Sequence, residues 1–260
     1  MPHPSVAADA DVGYGCRELT QHAEFRAAAA LYARVFAYTE SEYALNANLL
    51  TALARNGGSA VGAFTEEGAL IGFAYGFAGC DADGTCFHYS QAAAVDPAQQ
   101  GRGVGQALKL AQRAVALRWG QRSMRWTFDP LLSRNAHFNL SSLGAVGIAY
   151  ERDYYARPDT DRLVVSWDLD GADRSVRRPF PVPPMLGPDD WGRAVTADGD
   201  TWIAIPTRPD ALDAEERAVL RRDLERTMTA AFRRGDVLVG ATRLDDDTAV
   251  YRATPREGTA

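Results

Sequence analysis

The stretch FHYSQAAAVDPAQQGRGVGQALKLAQRAVALRW, residues 87–119, decides how the rest of the chain is interpreted. Its pattern predicts a strand, a glycine-rich turn and a long amphipathic helix. In the turn, Gly101, Gly103 and Gly105 have no side chains to shield the backbone, so several N–H groups can converge on one anion. These N–H groups begin a helix, where no intrahelical acceptor exists and the helix dipole is positive. The turn therefore predicts a site for a phosphate or a pyrophosphate.

Length and composition limit the class of protein. The chain has 260 residues, of which 46% are hydrophobic and 24% are charged, as in a globular protein with one large domain or a main domain and a smaller one. Its formal net charge of −6 gives no general attraction to nucleic acid or to an anionic membrane. The sequence has no apolar run of transmembrane length and no signal-peptide pattern at its start. We therefore expect a cytoplasmic protein with no nucleic-acid or membrane partner.

The three cysteines are Cys16, Cys80 and Cys86. They form neither a C-x-x-C pair nor a zinc-binding spacing, and their odd number argues against a disulfide framework. We expect no metal. Cys80 and Cys86 flank a short loop and could pair under oxidation, but we expect reduced thiols.

The stretch lies within a characteristic order of predicted elements. A short strand is followed by two helices, a three-stranded meander, the glycine turn with its helix, a strand, a short helix and two strands. The strands are predicted at 16–19, 59–65, 69–77, 85–95, 124–128, 145–150 and 162–169, and helices at 21–36, 103–119 and 133–143. Thr20 is the predicted N-cap of the first helix, and Thr39 with Glu42 predicts a capping box before the second, which ends near residues 57–58.

Changes in composition divide the chain into four segments. Residues 1–14 are predicted to be a flexible tail, and residues 15–170 the main domain. Five prolines fall between Pro179 and Pro188, which predicts a linker over residues 171–200. Residues 201–260 predict an α+β extension. Its elements are a strand at 201–205, a helix at 213–233 and a hairpin at 236–243 and 248–252.

Two widespread glycine patterns do not fit the turn. A P-loop needs Lys and then Ser or Thr after its last glycine, but Gly105 is followed by Gln106. A dinucleotide-binding loop needs a third glycine or alanine where Leu108 stands. The pattern that does fit is Gln/Arg-x-x-Gly-x-Gly/Ala, which Gln100, Gly103 and Gly105 match.

Through this pattern and the order of its elements, the sequence resembles the GNAT superfamily of acyl-CoA-dependent N-acyltransferases over about residues 16–169. The resemblance implies an α/β (α+β) fold in which helices flank a central mixed, mostly antiparallel sheet, with the smaller α+β extension appended. It also implies that the turn binds the pyrophosphate of acetyl-CoA, or of another short acyl-CoA such as succinyl-CoA. The cofactor-binding residues that it implies are Ala93, Ala94, Val95, Gln100, Gly101, Arg102, Gly103, Val104, Gly105, Gln106, Asn135 and Asn139.

The run WTFDPLLSRNA, residues 126–136, is similar to a bacterial branch of this superfamily that carries a near-identical run. Some members of that branch are linked to the N-acetylation or N-succinylation of amino acids. The branch also has a similar C-terminal extension. The resemblance therefore implies a small amino-acid-like acceptor.

The sequence departs from the common family pattern at the general acid. Leu140 stands where the family usually has a tyrosine, and leucine cannot protonate a thiolate. Tyr154 or Tyr155 could replace it, or the proton could come from water or from the ammonium group. For the general base, Asp129 is the first candidate, with a turn-forming Asp-Pro as the alternative. His88 is a second candidate, with a packed core histidine as the alternative.

The acceptor site has three predicted residues. Gln91 could form a hydrogen bond with the acceptor, and Arg134 could bind a substrate carboxylate or make an exposed salt bridge. Asn135 and Asn139, which belong to the predicted cofactor site and not to the acceptor site, could bind pantetheine amides or cap a helix. Tyr38 belongs to an aromatic set that could line the pocket or pack in the core; the set is Tyr32, Phe36, Tyr38 and Tyr43.

We thus expect an N-acyltransferase, with acetyl as the first choice of acyl group. The acceptor is a small-molecule primary amine that attacks directly in a ternary complex, because no cysteine stands where a covalent acyl-enzyme would form. The alternatives are a non-catalytic acyl-CoA-binding regulatory module and an N-succinyltransferase of amino acids. A protein or aminoglycoside acetyltransferase is a third possibility, and the sequence leaves a homodimer open.

Overall fold

The computed structural model describes residues 13–40, 44–171 and 180–256. The chain divides into two compact units, Met1–Arg125 and Trp126–Ala260. Most of the predicted tail lies outside the described residues, as do Glu42, Tyr43 and part of the predicted linker. The described part of the linker segment, residues 171 and 180–200, falls within the second unit.

The described part of the first unit combines strands with three helices. The strands are β1 (Tyr14–Glu18), β2 (Ser59–Thr65), β3 (Leu70–Cys80), β4 (Cys86–Val95) and the first residues of β5 (Ser123–Phe128), and the helices are α1 (His22–Val35), α2 (Ala47–Arg55) and α3 (Val104–Arg118). The strand order is β1-β2-β3-β4-β5. Neighbouring strands are antiparallel except for β4 and β5, which are parallel. A parallel pair needs a long crossover, and α3 lies within it.

Local hydrogen bonds decide where the first two helices begin. The carboxylate of Glu24 accepts from the N–H groups of Thr20 and Gln21 at 2.8 and 3.1 Å, so the cap of α1 is Gln21 and not the predicted Thr20. α2 begins only after Asn46, whose Oδ1 accepts from two backbone N–H groups of the first turn. The predicted start near Thr39 is wrong because Asn46 provides the cap.

Helices cover both faces of the first unit's sheet. On one face, α3 packs through Val104 and Leu108 against β2 and β3. On the other face, α1 and α2 pack around Phe73 and Tyr75 of β3. Burial of apolar side chains on both faces fixes α3 against the sheet.

The second unit begins with the end of β5 and is also α/β. Its elements are α4 (Ser133–Ala136), β6 (Val146–Glu151), β7 (Arg162–Asp168), β8 (Ala194–Ala197), β9 (Asp200–Pro206), α5 (Ala214–Arg233), β10 (Asp236–Arg243) and β11 (Thr248–Pro255). The strands lie in the order β7-β6-β10-β11-β9-β8, and each paired neighbour is antiparallel. α4 continues as a wider π-helical turn over His137–Ser142, where the sequence predicted one regular helix.

The C-terminal extension is continuous with the rest of the second unit. β10 pairs with β6 at Leu238 and Gly147. The two strands are in close contact at this point, because a Cβ atom built on Gly147 would lie only 2.9 Å from the Cβ of Leu238. The elements that the sequence predicted for the extension are confirmed by β9, α5, β10 and β11. Within the described residues, no helix is long and apolar enough to cross a membrane.

Candidate active site

The glycine turn forms an open backbone cradle at the start of α3. Gly103 is the N-cap of this helix, with a φ angle of +81°, and no side chain caps the helix start. Gly101 has a φ angle of +79°, and a Cβ atom built on it would have nothing within 4 Å. Left-handed backbone at both positions requires glycine in practice. The first turn of α3 contains no acidic residue. The exposed N–H groups and the positive helix end therefore fit a pyrophosphate.

Side chains around the turn hold it to the sheet. The Tyr14 hydroxyl donates to the Arg102 carbonyl at 3.2 Å, and Gln100 Nε2 donates to the Val95 carbonyl at 3.4 Å. Arg102 itself donates to Gln99 Oε1 at 2.8 Å. These contacts connect the turn to β1 and to the end of β4.

β4 contains a bulge in front of the segment that the sequence assigned to the cofactor. Tyr75 pairs with Ala92 and Gly76 with Ser90, which leaves Gln91 as the extra residue. β4 pairs with β5 at His88–Met124 and Tyr89–Arg125 and then continues to Val95. Beyond the bulge, Ala93 is exposed and Ala94 is buried. The bulge changes the direction of the strand next to the glycine turn.

His88 is fully buried and occupies a packed position. Its Nε2 lies 2.8 Å from Ser59 Oγ, and its Nδ1 lies 2.8 Å from Gln121 Oε1. Gln121 Nε2 donates to the Gly57 carbonyl at 2.8 Å, which fixes the orientation of this amide. Since Oε1 can only accept, Nδ1 carries the proton and Nε2 accepts from Ser59. Burial lowers the pKa of His88 to about 4. This environment favours the packed alternative over the general base.

The hydrogen bonds of His88 extend into a buried chain that sequence reasoning missed. Ser59 Oγ accepts from Gln112 Nε2 at 3.1 Å, and Gln112 Oε1 accepts from Ser90 Oγ at 2.8 Å. Ser90 Oγ in turn accepts from Lys109 Nζ at 2.8 Å. Lys109 is only 4% exposed, and burial lowers its pKa to about 7. The sequence signal for this buried chain is the spacing of Lys109, Gln112 and Ala116, which places the three residues on one side of α3.

Asp129 directly follows β5 in the second unit and binds an arginine from α5. Its Oδ1 and Oδ2 accept from Arg221 Nη1 and Nη2 at 3.2 and 2.8 Å, and Oδ1 also accepts from the Leu131 N–H at 3.0 Å. The side chains of Arg221 and Asp129 are 13% and 22% exposed. The Leu131 contact is the turn-forming role of Asp129 that the sequence left as the alternative to a base.

The predicted residues on α4 and its π turn differ in how deeply they are buried. Arg134 and Asn135 are exposed, whereas Asn139 is buried and accepts from Trp126 Nε1 at 2.9 Å. Leu140 is 1% exposed and is packed in the core. Asn139 thus has a structural partner, while the side chains of Arg134 and Asn135 are open to solvent.

The predicted tyrosines are accessible. Tyr154 and Tyr155 follow β6, are 38% and 40% exposed, and form a T-shaped ring pair at 5.0 Å. In the first unit, Tyr38 is exposed, and its ring contacts Tyr32 and Phe36 at 5.6 and 5.7 Å. Phe36 and Tyr38 of this group are exposed, whereas Tyr32 is partly buried.

The structure thus groups the predicted residues by unit. The first unit contains the glycine turn, Gln91, Ala93 to Val95, His88 and Tyr38, and the second contains Asp129, Arg134, Asn135, Asn139, Tyr154 and Tyr155. Within the described residues, no group of three or more His, Cys, Asp or Glu side chains could hold a metal ion.

Comparison with known proteins gave matches among solved structures only. No protein-family model and no curated protein matches the chain. The chain is similar to yncA from Salmonella typhimurium, which is described as an acetyltransferase and was solved with its cofactor acetyl-CoA. The TM-score is 0.50 and the identity 18%, over 62% of this chain and 96% of that one.

Two further structures are similar at lower scores. One is a protein from Desulfovibrio desulfuricans described as an acetyltransferase of the GNAT family, with 16% identity and a TM-score of 0.48 over 60% of this chain and 99% of that one. The other is a GCN5-related N-acetyltransferase from Kribbella flavida, with 19% identity and a TM-score of 0.45 over 60% and 98%. At such identities the likeness to the Salmonella protein establishes the fold. The mixed, mostly antiparallel sheet flanked by helices confirms the predicted fold class, and this chain has the GNAT fold.

Proposed function

We propose that this protein is an acyl-CoA-dependent N-acyltransferase that acetylates the primary amine of a small, amino-acid-like metabolite. The observation that carries the proposal is the uncapped glycine turn at the start of α3, beside the bulged end of β4. In a GNAT fold, this combination supports the binding of coenzyme A better than the binding of any other anion. The acceptor class and the direct attack in a ternary complex are parts of the same proposal.

Acetyl-CoA would be held by this chain's backbone. The N–H groups of Arg102 to Gln106 would donate to the pyrophosphate, and the exposed backbone around Ala93 would contact the pantetheine arm. Asn135 is accessible for a further hydrogen bond. When bound, acetyl-CoA supplies an activated thioester carbonyl.

Arg134 would orient the acceptor, and solvent would take up the proton that the amine of the acceptor loses. Arg134 is exposed at the start of α4, and a guanidinium can pair with a carboxylate through two parallel hydrogen bonds. Because His88 is buried and Asp129 is bound to Arg221, we favour water as the direct proton acceptor. Tyr154 and Tyr155 have accessible hydroxyls and are our candidates for the general acid. Gln91 and Tyr38 are candidates for further acceptor contacts.

The direct test is incubation with acetyl-CoA or succinyl-CoA and a panel of amines and amino acids. N-acylated product should be followed by mass spectrometry, because the protein's own cysteines would disturb a thiol assay. A product with an amino acid supports the proposal, and preference for succinyl-CoA would change the acyl group only. Absence of product with every amine would contradict an N-acyltransferase.

The glycine turn can be tested separately by calorimetric binding of acetyl-CoA. Gly103→Ala places a side chain at a φ angle of +81° in the cradle, and Gly120→Ala places the same side chain at +77° after α3. Both variants carry the same backbone strain. We expect Gly103→Ala alone to weaken binding about tenfold or more, as the loss of one hydrogen bond to a charged group would. Equal affinities of the two variants would contradict the assignment of the turn.

A second candidate function is an acyl-CoA-binding module without turnover. The specific observation in its favour is the buried Leu140, which leaves no ionisable group at the position where the family usually has its acid. Binding of acetyl-CoA that is sensitive to Gly103→Ala, without product from any amine, would identify this second function.

A further inference from the structure

Cys80 and Cys86 face each other at the end of the hairpin that joins β3 and β4. They are paired residues of the antiparallel ladder, and their Sγ atoms lie 2.8 Å apart. Both side chains are exposed. The Asp81 N–H donates to the Thr85 carbonyl at 3.0 Å, so this pair closes the hairpin one step beyond the cysteines.

The backbone geometry at the two cysteines suits a disulfide. Residues next to a hydrogen-bonded pair of an antiparallel ladder form a non-hydrogen-bonded pair, with Cα atoms about 4.5 Å apart. Disulfides span Cα distances of about 4.4–6.8 Å. Cross-strand partners also point to the same face of a sheet. A bond between the two sulfur atoms therefore needs no change in strand register.

Contacts that do not involve sulfur hold this end of the hairpin in place. Asp81 accepts from both terminal nitrogens of Arg125 at 2.7 and 2.6 Å. The Arg125 guanidinium lies 4.1 Å from the centroid of the Phe87 ring. Gly84 has a φ angle of +84°, which allows the tight turn. The two thiols are thus brought together before any reaction.

We propose that Cys80 and Cys86 form a dithiol modification site, which a low-molecular-weight disulfide converts into an intramolecular disulfide. This proposal is independent of the proposed N-acyltransferase activity. It names the chemical class of the reagent, and it assigns a reaction to two side chains that the candidate active site does not use.

The reaction balances as two thiol–disulfide exchanges. The thiolate of Cys86 attacks one sulfur of the reagent, forms a mixed disulfide and releases one small thiolate. The thiolate of Cys80 then attacks the protein-bound sulfur of Cys86 and releases the second. The protein loses two electrons and two protons, and the reagent is reduced to two thiols. The same two steps balance with the two cysteines exchanged, because both side chains are exposed to the reagent.

Cys16 is an internal control for this reaction. It is buried in the core of the first unit, and burial raises the pKa of its thiol to about 11. Its thiolate fraction at neutral pH is therefore very small, and the reagent cannot reach it in the folded protein.

The test uses the full, folded chain, reduced and desalted, and then incubated with glutathione disulfide at neutral pH. Intact-mass and peptide-mapping mass spectrometry should show the loss of two hydrogen atoms, a Cys80–Cys86 link and a free Cys16. Cys80→Ser and Cys86→Ser should each stop at a stable glutathione adduct on the remaining cysteine. Cys16→Ala should behave like the unmodified sequence.

Three outcomes would overturn the proposal. The first is a stable glutathione adduct on both Cys80 and Cys86 of the unmodified chain. The second is a link between two molecules or to Cys16. The third is no reaction at either cysteine while a denatured sample of the same protein reacts.

Discussion

Lys109 in the first unit and Arg221 in the second are both largely buried cations, but their pKa values are shifted in opposite directions. The Lys109 ammonium donates to a hydroxyl, that of Ser90, and leads into a chain of neutral groups. The Arg221 guanidinium meets both oxygens of an ionised partner, Asp129. Burial lowers the pKa of Lys109 to about 7, so near neutral pH this side chain is close to losing its charge. The comparison teaches that similar burial makes one cation titratable and the other a permanent member of an ion pair.

Each network also connects different parts of its unit. The chain from Lys109 to Gln121 joins α3 to β2 and β4, and it includes Ser90, the residue next to the bulge at Gln91. The Asp129–Arg221 pair joins the turn after β5 to α5 of the extension. Tyr251 of β11 supports the same turn by donating to the Pro130 carbonyl at 2.7 Å. The extension therefore orders the segment that leads to Arg134 and Asn135.

The largest effect is expected from Arg221→Met, which leaves the Asp129 carboxylate without its partner. Removing one member of a buried ion pair costs about 3–5 kcal/mol, and the partial exposure here lowers the expected loss to about 2–3 kcal/mol. Urea unfolding followed by tryptophan fluorescence measures it, since Trp126, Trp167, Trp191 and Trp202 lie in the second unit.

Arg226→Met is the matched control on the same helix. Arg226 pairs with Asp223 but its side chain is 75% exposed, so we expect a loss below about 0.5 kcal/mol. The double variant Arg221→Met with Asp129→Asn should recover part of the loss, because no unpaired charge remains. Equal losses in Arg221→Met and Arg226→Met would remove the distinction between the two pairs.

An intermediate effect is expected from Ser59→Ala, which interrupts the neutral chain. The change leaves Nε2 of His88 and Nε2 of Gln112 without their common partner, and each buried unsatisfied group costs about 1–3 kcal/mol. We expect a loss of about 2 kcal/mol in urea unfolding followed by circular dichroism. Adding Gln112→Met should cost less than it does alone, because the chain is already broken. Strictly additive losses would show that the chain does not act as a unit.

Local pattern was sufficient for most elements of both units. It did not give the start of α2, the π turn after α4 or β8, and it did not give these networks. The glycine turn, the helix after it and the hairpin of the extension follow from short-range periodicity and turn residues. Arg221 and Asp129 are separated by 92 positions, and no local pattern connects them. The pairing of β10 with β6 is equally long-range, which is why the extension was predicted only as an appendage.

Residue type gives no signal for the burial of Lys109 and Gln112, because such residues are seldom fully buried. They are buried here since Ser90 and Ser59 provide partners on strands that only the fold brings under α3. His88 and Asp129 were weighed as bases because of their chemistry. Their environments, a neutral chain and an ion pair, could not be read from their neighbours in sequence.

The smallest predicted effect is a difference between Lys109 and Arg221 in how the free energy of unfolding depends on pH. The folded-state pKa of Lys109 is lowered to about 7 from 10.5, so between these values the unfolded chain binds a proton that the folded chain lacks. The contribution of Lys109 to stability should therefore rise with pH in this window, by at most about 1.4 kcal/mol per unit, and should be flat below it. Between pH 7 and pH 8 we expect the unmodified protein to gain about 1 kcal/mol more than Lys109→Met. The difference between the unmodified protein and Arg221→Met should stay constant over the same interval, because Arg221 keeps its charge there. Burial alone would lower the pKa of Arg221, but its hydrogen bonds with Asp129 raise it. Urea unfolding at both pH values measures all three proteins. Parallel pH dependences of the unmodified protein and Lys109→Met would mean that Lys109 keeps its proton when buried.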